Sequence, residues 1–526
     1  MPLPPPTHTV LSLLLLLLLT LTTSSSSCSS DHDHDHDIHT WCLRTPHPNS
    51  CLHYMGNDPP PNTTSDFFNL SVSAALSRAL HAQSHLNSLR HRFSRNASES
   101  KAWSDCMSLY RNTIIQLNRS VDSPTATGCT AADKQTWLSA ALTNLEICHI
   151  LFGRLGLSEE TVSPLQGYNV SDLISNSLAI NEAPPAVNGT GEENWATVGM
   201  RRLLQTKGRR VDVVVAKDGS GKYRTIGEAI KEAERQRKRG RKRRFVIYVK
   251  AGVYSEYLQI GTGVPNLTLI GDGKGKTIIR GNRSVGKGYT MVGCATVSVF
   301  GDGFIAQDLT FRNDNGPRTQ ALALLLGSDR SIIYRCSIEG YQDTLCVFSQ
   351  RQFYRECDIY GTIDFIFGNA AAVLQSCNIF ARRPLQGQGD TITAQGRTDP
   401  NQNTGIVIQK CVITSAPDLK PVQRSVKTYL GRPWMRYSRT IYMQNYFDSL
   451  VHPAGWLEWK GNFALDTLYY AEFKNTGPGS KMSRRVRWKG FHIIVRPSLV
   501  KKFTVANFLG GGLWIHASGV PFGSGL

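Results

Sequence analysis

Residues 336–356 read CSIEGYQDTLCVFSQRQFYRE, residues 357–376 read CDIYGTIDFIFGNAAAVLQS, and CNI follows at 377–379. Cys336-Ser-Ile338, Cys357-Asp-Ile359 and Cys377-Asn-Ile379 step by 21 and 20 residues, and Cys411-Val-Ile413 repeats the motif after a longer excursion. A period near twenty with short apolar strands in each repeat is the mark of a solenoid, whose inward Cys and Ile stack coil on coil into one continuous core. Strand-like runs at Phe245–Val249, Leu267–Ile270, Thr277–Ile279, Thr296–Phe300, Ala321–Leu326 and Ile332–Ile338 extend the pattern, bounded by Gly, Asn and Asp. The expectation is an all-β right-handed parallel β-helix over 211–526.

Within these repeats Asp343 and Asp364 are 21 residues apart, so coiling sets their carboxylates on neighbouring strands, roughly 4.8 Å apart. Two acids that close cannot both ionise freely; one keeps a proton at neutral pH while the other stays charged. Gln342 adjoins Asp343, and Gln320 precedes Gln342 by 22 residues, one coil away. Two amide N–H donors there suit the oxyanion of a tetrahedral intermediate, which the oxocarbenium-like route of glycoside cleavage does not need. Arg432 could hold one aspartate ionised through a bidentate pair, and Trp434 and Trp459 offer flat faces to sugar rings. The repeat half holds only His452, His492 and His516, none beside the aspartates, and no Gly-x-Ser-x-Gly elbow. A histidine-based serine or cysteine hydrolase is therefore disfavoured, and no His/Cys cluster has zinc spacing.

The N-terminal part differs. Val10 to Leu21 is a Leu/Thr run too short to span a bilayer but right for a signal peptide, assigned to 1–30. No later stretch is long enough for a membrane span. Asp31-His-Asp-His-Asp-His-Asp37 reads as a solvated lead-in rather than a metal site. From about 65 to 180 the apolar period turns helical, with Leu70, Val72, Ala75, Leu76, Leu80, Leu86 and Leu89 as a stripe, and 31–180 is read as an all-α bundle. Residues 181–210 lose that period, gather Pro184, Pro185, Gly189 and Gly191, and end in the basic knot Arg201-Arg-Leu-Leu204: a linker, with a processing site as one reading and a plain polar tether as the other.

Sequons at Asn62, Asn69, Asn96, Asn118, Asn169, Asn188, Asn266 and Asn282 fit passage through the secretory pathway, where some of the twelve cysteines should oxidise. The net charge of +19 conceals an asymmetry: residues 1–204 carry 12 Lys/Arg against 17 Asp/Glu. A basic half in an exported chain implies an anionic partner, and export favours an acidic polysaccharide over nucleic acid or a membrane. Eight cations at Arg235, Arg237, Lys238, Arg239, Arg241, Lys242, Arg243 and Arg244 read as a solvated loop tip.

Five segments, Gly252-Val-Tyr-Ser-Glu256, Gln320-Ala-Leu-Ala-Leu324, Tyr341-Gln-Asp-Thr-Leu345, Asp364-Phe-Ile-Phe-Gly368 and Leu430-Gly-Arg-Pro-Trp434, resemble in order and spacing the signatures of plant pectin methylesterases with an inhibitor-like pro-region. The resemblance implies that Asp364 is the nucleophile on the C6 methyl ester of galacturonate and Asp343 the acid and then base. It further implies Gln320 and Gln342 as oxyanion donors, Arg432 as the residue orienting Asp364, and Phe367, Trp434 and Trp459 as groove lining. It implies no metal or organic cofactor, homogalacturonan as substrate, a processing protease at Arg201, Arg202, Leu203 and Leu204, inhibitor proteins as partners, a monomer, and secretion to the cell wall. The N-terminal segment, with Ala140-Ala-Leu-Thr-Asn144, is similar to the invertase and pectin methylesterase inhibitor family, a four-helix bundle. That likeness implies bridges Cys42–Cys51 and Cys106–Cys148, and autoinhibition; enzyme-family precedent pairs Cys357 with Cys377. Cys346, Phe348 and Thr319 depart from the family pattern. The readings that remain beside the esterase are a polygalacturonase-like hydrolase and an inactive pectin-binding protein.

Overall fold

The structure, a computed structural model, describes residues 37–94, 96–121, 129–154, 167–181 and 211–526. The expected signal peptide, the linker with Arg201, Arg202, Leu203 and Leu204, and Asn188 lie outside the described residues. No described helix is long and apolar enough to cross a membrane.

The N-terminal part is helical: α1 (Ile38–Leu43), α2 (Pro48–Met55), α3 (Thr64–Ser88), α4 (Arg90–Phe93), α5 (Ala97–Ser120), α6 (Ala131–Gly153) and α7 (Val170–Ile180). The four longest form the bundle, with α3, α5, α6 and α7 packed on one another. Each main start has a local cause. Thr63 accepts from the Asp66 amide at α3, Asn96 from the Ser98 amide at α5, and Thr130 with Asp133 closes a capping box at α6. Cys42–Cys51 ties α1 to α2, and Cys106–Cys148 ties α5 to α6, as the family likeness implied. The stripe on α3 differs from the expected one. Phe68, Val72, Ala75, Ala79, Ala82 and Leu86 face inward, whereas Leu80 is 48% exposed, because small residues let the neighbouring helices approach closely.

From Val213 onward the chain winds into three parallel sheets of eleven, eight and seven strands. Every pairing is parallel and in register, so like residues stack: Ile338 on Ile359, Ile359 on Ile379, and Ile379 on Ile413. All four are fully buried. The Cys-x-Ile motif marks one corner of the coil. Arg335, Glu356, Ser376 and Lys410 there adopt left-handed backbone, φ 51 to 54°, and the cysteine that follows each turns inward. The run 332–338 accordingly splits into the strands Ser331–Tyr334 and Ser337–Glu339. A helix, α8 (Ile226–Lys238), buries Ile226, Ala229, Ile230 and Ala233 on the core.

Two expectations need correction. Cys357 and Cys377 are not bridged; both are free thiols. They stack one coil apart with parallel side chains, which holds their Cβ atoms near the roughly 4.8 Å strand spacing instead of the roughly 3.8 Å a bridge needs. Each thiol instead points at a backbone carbonyl, Cys357 Sγ at Ile333 O (3.3 Å) and Cys377 Sγ at Tyr354 O (3.7 Å). The basic run is not a uniformly solvated tip either. It begins in the last turn of α8, and half of its cations hold the fold. Arg237 donates to Pro265 O (2.6 Å), Arg241 and Arg243 pair with Asp212 (2.6 and 3.3 Å) and Arg244 donates to Gly303 O (2.6 Å).

Candidate active site

Asp343 and Asp364 occupy equivalent corners, one coil apart, just before the strands Leu345–Val347 and Ile366–Gly368, which pair Leu345 with Ile366. They thus sit in the turn rather than in the strands, with φ of 61° and 52°, a left-handed conformation that Asp tolerates better than most residues. The Asp343 amide donates to Ile363 O at 3.1 Å, tying one corner to the next.

The two carboxyls have different surroundings. Arg432 grips Asp364 with a fork, Nε to Oδ1 at 2.9 Å and Nη2 to Oδ2 at 2.6 Å. Thr391, on the next strand, donates to Oδ1 (2.7 Å) and accepts from the Asp364 amide (2.9 Å). This carboxyl group accepts three hydrogen bonds, two of them charge-assisted. Asp343 has no such clamp. Burial, and then the charge of Asp364, push its pKa well above the usual carboxylate range against the weaker pull of Arg154 and Arg432. The arrangement sets a buried acid, whose protonated form its surroundings favour, beside a carboxyl group held by Arg432 and Thr391.

Gln320 and Gln342 are half-buried and adjacent, since the amide of Ala321 donates to Gln342 O (3.2 Å). Thr319 Oγ1 donates to Gln320 Oε1 (3.3 Å), which occupies the amide oxygen of that side chain and leaves its N–H2 group as the donor end. Phe367 meets Trp434 edge-on (centroids 5.8 Å), and Arg432 lies 4.4 Å over the Trp459 ring. Cys346 and Phe348 are buried in the groove floor, Phe348 packed against Phe300. All the expected groove residues therefore converge on the seven-stranded sheet and the loops at its margin. Thr391 and Arg154 were not foreseen; neither stands in a motif, Thr391 entering through a hydrogen bond across coils and Arg154 through its charge, from the helical domain.

The helical bundle is docked on this face. Helix α6 buries 16 of its 23 residues, and Thr143, Glu146, Ile147 and Ile150 close over Cys346, Phe348, Asn369, Trp434 and Met435, leaving a void of only about 10 Å³. Polar contacts frame the seam: Asn369 Nδ2 to Thr143 Oγ1 (2.9 Å), Gln402 Nε2 to Ser139 O (3.1 Å), Asn403 Nδ2 to Thr136 Oγ1 (2.9 Å) and Lys101 Nζ to Gly288 O (2.7 Å). Ion pairs flank it, Arg119 with Asp302 (2.8 Å), and Asp133 with both Arg330 (2.8 Å) and Arg351 (2.7 Å). Of the sequons, Asn62, Asn96, Asn118 and Asn282 are exposed, while Asn69, Asn169 and Asn266 are half-buried. No group of three or more metal-binding side chains occurs among the described residues.

Comparison with known proteins gives the same two-part division. The family model Pectinesterase matches residues 212–512, and the model for plant invertase/pectin methylesterase inhibitor matches 36–180. Pectinesterase 2 of Citrus sinensis is 53% identical over 496 residues, covering 93% of this chain and 95% of that protein. Probable pectinesterase/pectinesterase inhibitor 17 of Arabidopsis thaliana is 52% identical, with 93% and 94% covered. Among solved structures, pectin methylesterase from carrot aligns with a TM-score of 0.59 at 52% identity, over 60% of this chain and 98% of that one.

Proposed function

The chain belongs to the pectinesterase family and carries an inhibitor-family domain ahead of the enzyme domain, and from that premise we propose that it hydrolyses the C6 methyl esters of homogalacturonan by a two-aspartate mechanism while its helical domain holds it latent. The observation that carries the reading is the unequal pair: Asp364 clamped by Arg432 and Thr391, with Asp343 beside it kept protonated by burial and by the charge of Asp364.

Asp364 attacks the ester carbonyl carbon. Gln320 and Gln342 donate to the oxyanion that forms, a stabilisation worth about 3 to 4 kcal/mol per donor in comparable sites. As the intermediate collapses, Asp343 gives its proton to the departing methoxy oxygen, so methanol leaves and an acyl-enzyme anhydride remains. Asp343, now a carboxylate, takes a proton from water as that water attacks the acyl carbon. Collapse expels Asp364 as its carboxylate and frees the galacturonic acid, whose proton passes to solvent, so both aspartates return to their starting states. Phe367, Trp434 and Trp459 seat the sugar rings. No step calls for a metal or organic cofactor.

Latency follows from α6 standing in the groove, where a polymer cannot reach the pair. Release then needs a cut in the linker 181–210, at Arg201-Arg-Leu-Leu204, by a processing protease. The leader at Val10–Leu21 and the sequons support secretion to the cell wall, and the enzyme works there as a monomer.

The test uses the whole chain, before and after proteolysis in the linker, with methanol and reducing ends measured together on highly methylated pectin. Methanol that rises on cleavage, no new reducing ends, and no methanol from Asp364→Asn are expected. New reducing ends would indicate a polygalacturonase-like hydrolase, and pectin binding without methanol an inactive binder.

A further inference from the structure

The seam between the helical and enzyme domains does not close evenly. Between Thr143 and Ile150 it leaves only about 10 Å³. Further along, a cavity of about 470 Å³ separates Arg119 and Trp137 of the helical domain from Leu513 and Trp514 near the C-terminus. It lies over Ile305 and Ile332 of the eleven-stranded sheet, whereas the groove is floored by the seven-stranded one.

Asn266 stands in the wall of this cavity and opens the sequon Asn266-Leu-Thr268. Its backbone is fixed: the amide donates to Asp302 O (2.6 Å), the carbonyl accepts from the Phe245 amide (3.0 Å), and φ is 54°. Its side-chain amide is half-buried and has no hydrogen-bond partner among the described residues. Gly303 gives it room, since a Cβ there would stand 2.4 Å from Asn266 Oδ1.

The lining suits a neutral sugar. Arg119, Arg330 and Asp329 already pair with Asp302, Asp133 and Arg351, so these charges call for no counter-ion. Each guanidinium on the wall still has N–H groups beyond its ion pair for a hydroxyl or an acetamide carbonyl. Trp514 and the 90%-exposed Leu513 supply apolar surface for a sugar ring and an acetamide methyl.

We infer that Asn266 is N-glycosylated and that the first sugars of its glycan fill this cavity, joining Arg119 of the helical domain to Trp514 of the enzyme domain. In the transfer, Asn266 Nδ2 forms a bond to C1 of the first sugar and loses one proton, while the lipid pyrophosphate that carried the oligosaccharide leaves. Thr268 is wholly buried, so the transfer precedes folding, and the glycan is built into the docked state rather than added to it. As a clasp it strengthens the latency proposed above and rests on that reading.

The test is native deglycosylation of the full chain, linker intact, secreted from a eukaryotic host, with each sequon followed by peptide mass mapping. Asn266 is expected to carry a glycan that peptide N-glycosidase removes at least about tenfold more slowly than the glycans at exposed sequons such as Asn62 and Asn282. Asn266→Gln and Thr268→Val lose the sequon in two independent ways. In both, once the linker is cut, the helical domain should leave the enzyme domain at least about tenfold faster, followed by size exclusion, while Asn62→Gln should change nothing. An unmodified Asn266, a glycan removed as fast as the exposed ones, or unchanged dissociation in the folded sequon variants overturns the inference. Methanol release is measured on the same preparations after linker cleavage. A protected, clasping glycan without methanol removes the esterase and leaves the clasp; methanol with an unprotected glycan does the reverse.

Discussion

Replacing Asp133 by Asn should unlatch the helical domain without touching the catalytic groups. Asp133 lies in the first turn of α6, 5% exposed, and its Oδ1 accepts from Arg330 (2.8 Å) and Arg351 (2.7 Å) of the enzyme domain. Burial alone would raise its pKa. The Arg351 charge and the hydrogen bonds from Thr130 and Arg351 overcome that and draw it from 3.8 to about 2. At about 1.4 kcal/mol per decade this is roughly 2.5 kcal/mol. Part belongs to the capping box with Thr130, inside the bundle, which leaves about 1 to 2 kcal/mol across the seam. The docked pKa is depressed, so the contribution is fully present above about pH 4 and is lost only as pH falls toward 2. Asp133→Asn should therefore raise residual methanol release from the uncut chain about 5- to 30-fold, by a similar factor anywhere between pH 5 and 8. Thr130→Ala is the control, because it weakens the cap and leaves the ion pairs. Residual activity in Asp133→Asn no higher than in wild type, with the bundle folded, would show that this network does not hold the domain down.

Asp105 on α5 donates the opposite pH dependence: burial, opposed by the hydrogen bond from Thr290 across the seam, raises its pKa from 3.8 to about 6. Its contribution to docking is full below about pH 4 and is lost as pH rises through about 6, so uncut chain should leak more at pH 7 than at pH 4.5, and Asp105→Asn should flatten that rise. Gln342→Ala, assayed after linker cleavage, should lower kcat about 10²-fold with little change in KM, since the lost donor acts on the oxyanion rather than on bound ester; a loss confined to KM would remove it from the oxyanion site. Peptide mapping of unreduced protein after alkylation should recover Cys357 and Cys377 as modified thiols, and a Cys357–Cys377 cross-linked peptide would contradict the stacked arrangement.

The coil was legible because its period is written in side chains that must face the same way each turn: Cys336, Cys357, Cys377 and Cys411, each two residues before a buried isoleucine. The left-handed residue before each cysteine was not, since Arg, Glu, Ser and Lys there share no chemistry; what recurs is a backbone angle, not a side chain. The same limit placed Asp343 and Asp364 on strands when they lie at corners. Arg432 was found through its motif and Thr391 was not, because one hydroxyl in a strand of threonines carries no mark of its partner. The docked face of α6 was hidden for a different reason. Gln135, Thr136, Ser139 and Thr143 are small or uncharged polar residues on a helix buried nearly all round, and a helix read alone does not say that the second body covering it lies two hundred residues further along the chain.

The stacking of identical corners also governs how the enzyme can change length. Between Cys336 and Cys377 each coil takes 20 or 21 residues, yet the excursion to Cys411 takes 34, with the strands on either side still in register, Ile379 on Ile413. Extra residues are absorbed at loops, while whole coils add in steps of roughly 4.8 Å. Two dials are thereby separated: insertions at a corner, such as segment 383–389, remodel a wall of the groove, and insertion of a complete coil would extend its floor, neither displacing Asp343 from Asp364.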